Sequence, residues 1–190
     1  LDPDAKTITI KVRRGIQFHD GTEFNAEAVR WNLEAFRLAK KPQFNETDTK
    51  SVETLDDNTV RITLNTWDIS IMETIGTIFM ASPTAIREKG AEWVNEHPVG
   101  TGPFVFESWD KSVSVKYRKN ENYWQEGKPY LDGVEWKIIS DSSTADAALQ
   151  AKEADMYYST SARTAKLLEN DYEVVKFEAA LGGAGPALYP

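Results

Sequence analysis

The segment His97-Pro98-Val99-Gly100-Thr101-Gly102-Pro103 constrains this chain more than any other stretch, because no regular element can run through it. Each proline fixes φ and removes a backbone donor, and each glycine weakens helix and strand alike. The reading therefore places a boundary between structural units here, with one unit ending near residue 97 and another beginning at 98.

Before the break, strand and helix periods alternate. Ile8, Ile10 and Val12 share one face of residues 7–13 while Thr9, Lys11 and Arg13 take the other, the pattern of a half-buried strand. Asn25 is placed to cap a helix with Glu27 in its first turn, and Val29, Leu33 and Phe36 make its apolar stripe. Lys40-Lys41 closes that helix and Pro42 stops it. Residues 51–64 read as a hairpin around Asp56-Asp57-Asn58, with Val60, Ile62 and Leu64 on one side. A weakly amphipathic helix is expected over 69–79, then a short one from Ser82-Pro83 to Gly90.

After the break come a strand over 104–109, a turn at Asp110-Lys111, and a strand with Val113, Val115 and Tyr117 on one face. An aromatic loop fills 120–133, and Val134, Trp136 and Ile138 alternate in the next strand. Asp141 caps a helix to about Lys152, 156–158 is a short strand, 161–169 a helix and 172–177 a last strand. The expected fold class is α/β in the mixed α+β sense, with two strand–helix–strand crossovers in one sheet. Trp31, Trp93 and Trp136 lie in periodic segments and are expected in the core.

Composition removes whole classes of function. With 22 Lys+Arg against 30 Asp+Glu the net charge is −8, and without a basic block the chain is not expected to bind nucleic acid. The absence of cysteine excludes disulfides, thiolate metal sites and a cysteine nucleophile. No apolar run reaches the roughly 20 residues of a membrane-spanning helix. The Gly182-Gly183-Ala184-Gly185-Pro186 turn leading into Ala187-Leu188-Tyr189-Pro190 reads as the start of a further element, so an inner portion of a longer protein is expected.

Catalytic signatures are sparse. His19-Asp20 invites an acid–base reading, but Phe18-His19-Asp20-Gly21-Thr22 has the chemistry of a turn. His97 is 78 positions from His19, so the histidines do not form a close-spaced metal pair, and neither a metal nor a cofactor is expected. Gly100-Thr101-Gly102 lacks the third glycine of a dinucleotide loop and precedes a strand. Asn45-Glu46-Thr47 fits a glycosylation triplet that chance alone supplies. Tyr123, Trp124 and Tyr130 either stack on a sugar or peptide or staple their own loop. Tyr157-Tyr158-Ser159 puts hydroxyls at the end of an expected strand, where open α/β sheets bind ligands.

Three stretches together resemble a known family: residues 12–29 (VRRGIQFHDGTEFNAEAV), 98–104 (PVGTGPF), and 118–124 (RKNENYW) with 127–132 (GKPYLD). In this order they are similar to the extracellular solute-binding proteins, family 5, of ABC importers for oligopeptides, dipeptides and nickel. The resemblance implies a two-lobed binding-protein fold, in which residues 1–97 match the extra domain of this family. Residues 98–180 would match the central part of the first ligand-binding lobe, and 181–190 the crossing to the second.

It also implies a peptide-like solute or a nickel complex as ligand, a membrane permease as partner, no catalysis, and a periplasmic or extracellular location with a lipid anchor in some members. Tyr158 and Ser159 match cleft-lining positions of oligopeptide-binding relatives, and Tyr189 a tyrosine on the crossing strand. The regions matching the nickel-type anion contacts, Lys40-Lys41-Pro42-Gln43-Phe44 and Phe79-Met80-Ala81-Ser82-Pro83, carry no arginine here. Self-association through apolar surface left without its lobe is expected. The alternative reading is a stand-alone carbohydrate-binding or glycan-processing module.

Overall fold

The computed structural model describes residues 1–39, 44–158, 161–170 and 172–175. It divides into two compact units, Leu1–Trp136 and Lys137–Pro190.

The first unit opens with β1 (Thr7–Lys11), then α1 (Ala26–Leu38), β2 (Thr49–Asp56) and β3 (Thr59–Leu64). The Asn25 side chain accepts from the Ala28 N–H and fixes the start of α1 where the sequence predicts it. β3 lies between β1 and β2 in an antiparallel sheet, with Ile8 opposite Ile62 and Val52 opposite Ile62 from the other side. Period-2 alternation puts Ile8, Val52, Val60, Ile62 and Leu64 on the face that receives Val29 and Leu33 of α1. Phe44, fully buried, completes this core.

The helix expected over 69–79 is only α2 (Ile71–Gly76); the Ser70 side chain bonds Asp68 instead of capping the helix, and Gly76 closes it early. α3 (Pro83–Lys89) follows with Ser82 as cap and Gly90 at its end, as the sequence predicts. A second short helix, α4 (Ala91–Glu96), continues where the reading expects no element.

The proline- and glycine-rich segment does not separate the units. It runs inside the first, held by the hydrogen bonds Ser82 N to Val99 O and His19 N to Gly100 O. Beyond it β4 (Phe104–Asp110), β5 (Ser114–Lys119) and β6 (Gly133–Lys137) form a second three-stranded sheet in that order. Phe106 stands opposite Tyr117 and Trp109 opposite Val115, with an irregularity between Phe106 and Ser108. That extra residue keeps Trp109 on the face of Phe106, which strict alternation would deny it. One end of this face is covered by α4, where Trp93 stacks on His97 at 4.4 Å and His97 meets Phe106 edge-on at 5.6 Å. The rest is open: Trp109 and Trp136 are 43% and 42% exposed, and Trp93 39%, so Trp93 and Trp136 are not core residues. The local cause is that neither this sheet nor α4 packs on the apolar cluster built around the first sheet.

The second unit contains α5 (Ser142–Gln150) and α6 (Ala162–Leu168). Asp141 caps α5 by accepting from Thr144, as the sequence predicts. Residues 156–158 form no strand, and neither do 172–175, so the expected crossovers into one sheet are absent among the described residues. The α5 end is closed by polar contacts instead: the Lys152 N–H bonds Leu149 O, the Lys137 ammonium bonds Glu153 O, and the Tyr172 hydroxyl bonds Leu149 O. No helix among the described residues is long and apolar enough to cross a membrane.

Candidate functional site

In the first unit the structure gathers the residues that most resemble chemistry in the sequence. Asp20 and Ser82 meet while the His19 ring bonds Gly100 and Gly102, and these hydrogen bonds point to architecture. Gly21 has φ +81° and its N–H bonds Phe18 O, so residues 18–22 are the turn that their composition predicts. The Ser82 hydroxyl donates to Asp20 Oδ2 at 2.5 Å and accepts from Ala85 N, so one buried oxygen caps α3 and ties it to the turn. Partial burial pushes the Asp20 carboxyl up, but hydrogen bonds from Ser82 and Thr22 outweigh it and hold the group below its ordinary value.

The His19 ring turns away from Ser82. Its Nε2 donates to Gly102 O at 3.0 Å and its Nδ1 receives Gly100 N–H at 3.4 Å, both met by the tautomer with its proton on Nε2. Gly102 O also accepts from Asn120 Nδ2 at 2.9 Å, while the Asn120 N–H bonds Pro103 O. One carbonyl thus joins the turn, the proline–glycine segment and the aromatic loop. Sequence reasoning missed this node, since no local signal links positions this far apart.

Of the two roles open to the loop aromatics, Trp124 takes the stapling one. The Arg13 guanidinium lies 4.1 Å from the centre of its ring, and Tyr123 packs beside it with centroids 5.5 Å apart. Tyr130, by contrast, is 76% exposed.

In the second unit, Tyr158 sits on the irregular segment after α5 and is 50% exposed, so its phenol is open to solvent as donor and acceptor. Helix α6 (Ala162–Leu168) follows under the Ser161 cap, three residues after Tyr158, with Thr164 bonding Asp146 Oδ2 at 3.2 Å across to α5. Ser159 and Tyr189 lie outside the described residues, so of the three expected contacts only Tyr158 has a described position. No group of three His, Asp or Glu side chains among the described residues could hold a metal ion.

Comparison with known proteins defines the class. A family model for bacterial extracellular solute-binding proteins, family 5 Middle, matches residues 1–187. The chain belongs to this family, whose known folds are two-lobed binding proteins. It is 37% identical over 178 residues to the glutathione-binding protein GsiB of Pectobacterium atrosepticum, covering 90% of this chain and 34% of that protein. In structure it resembles Campylobacter jejuni NikZ in complex with Ni(L-His), with TM-score 0.78, 27% identity, and coverage of 90% of this chain and 35% of NikZ. It equally resembles Helicobacter pylori DppA in complex with the peptide STSA, with TM-score 0.78, 28% identity, and coverage of 90% and 38%. The chain therefore spans about a third of the length of these relatives.

Proposed function

We propose that this chain supplies part of the substrate-binding component of an ABC-type importer, which captures a peptide-like solute outside the cytoplasmic membrane and delivers it to a permease. The observation that carries the reading is the family match over residues 1–187. In this reading residues 1–97 belong to the extra domain, 98–180 to the first ligand-binding lobe and 181–190 to the crossing toward the second. Tyr158, Ser159 and Tyr189 contact ligand; the exposed phenol of Tyr158 supports this, being free to exchange water for a peptide group. The protein binds its solute without changing it. Lipid anchoring to the outer face of the membrane belongs to the same proposal.

The likeness to GsiB supports a small peptide of the glutathione kind as solute. The likeness to NikZ supports a nickel complex as a second reading. It has less behind it, because Phe79 is 92% exposed and no arginine flanks it between Thr77 and Pro83 to hold an anionic complex. A carbohydrate module has still less, since one face of Trp124 is already taken by Arg13.

A thermal-shift panel tests the proposal, run on this chain and on the longest natural protein containing it. The ligands are glutathione, mixed di- to pentapeptides, nickel with histidine, and short oligosaccharides. Binding to the folded state raises the midpoint by mass action, and a ligand at 100 times its Kd contributes about 2.7 kcal/mol. Stabilisation of the longer protein by glutathione or peptides, reduced by Tyr158→Ala, is the expected result. A shift with oligosaccharide alone in the 190-residue chain would overturn it.

A further inference from the structure

We draw no further inference here: the strongest candidate, the half-open aromatic face of the second sheet that carries Trp109, Val115 and Trp136 beyond the Phe106 end covered by α4, is an unpartnered apolar surface, and nothing in the structure shows what covers it.

Discussion

A buried asparagine persists only where its amide finds partners on both sides. Asn32, on α1, donates to Ala28 O and Ala81 O and accepts from Ala81 N–H, so it grips the backbone just ahead of the α3 cap. Thr49 is the opposite case: fully buried at the start of β2, with a hydroxyl that has no hydrogen-bond partner among the described residues. Thr49→Val keeps the shape and removes the unpaired oxygen, so we expect a gain of about 1 kcal/mol in urea denaturation. Asp20 contributes to the acid limb of stability. Its carboxyl is held below its ordinary value of 3.8, so the stabilisation is present at neutral pH and lost as the pH falls through the folded-state value. Asp20→Asn should lower the melting temperature at pH 7 and flatten its decline below pH ~4. An unchanged acid limb in the variant would remove Asp20 from this role.

At the scale of elements, what is local was legible and what is long-range was not. Asn25, Ser82 and Asp141 cap helices where the sequence predicts caps, because an N-cap needs only a short side chain and the next three residues. Val60, Ile62 and Leu64 are buried as their alternation demands. The irregularity in β4 was hidden, since an extra residue leaves no mark in a pattern of apolar positions until the partner strand is known. Of the candidate site, the sequence shows Tyr158 but misjudges its setting, for the polar closure after α5 depends on Lys137 and Tyr172 at a distance. Gly133 illustrates the same limit. A Cβ there would stand 2.7 Å from Tyr117 O, a backbone atom that cannot step aside, so β5 and β6 approach only because this residue is glycine. Gly133→Ala should destabilise the chain by roughly 1–3 kcal/mol in denaturant titration. Wild-type stability in that variant would show that the strands separate freely.

For the whole molecule, the contrast between its two sheets governs behaviour in solution. The first has Ile8, Val60 and Ile62 fully buried, whereas the second leaves Trp109 and Trp136 half open. Large open aromatic surface on a chain of net charge −8 balances attraction against repulsion, and salt tips that balance by screening. We therefore expect sedimentation to show self-association that grows with ionic strength and weakens in Trp109→Lys. A chain that stays monomeric at high concentration in high salt would count against it.

The Gly102 carbonyl, shared by His19 and Asn120, has a consequence for anyone dividing the gene. Prolines and glycines advertise residues 98–103 as the natural place to cut. A cut before Gly102 would take the acceptor from the His19 imidazole, and a cut after it would take the acceptor from the Asn120 carboxamide. What reads as a hinge pin is a rivet, and the fragments on either side should be sought as partners rather than as modules.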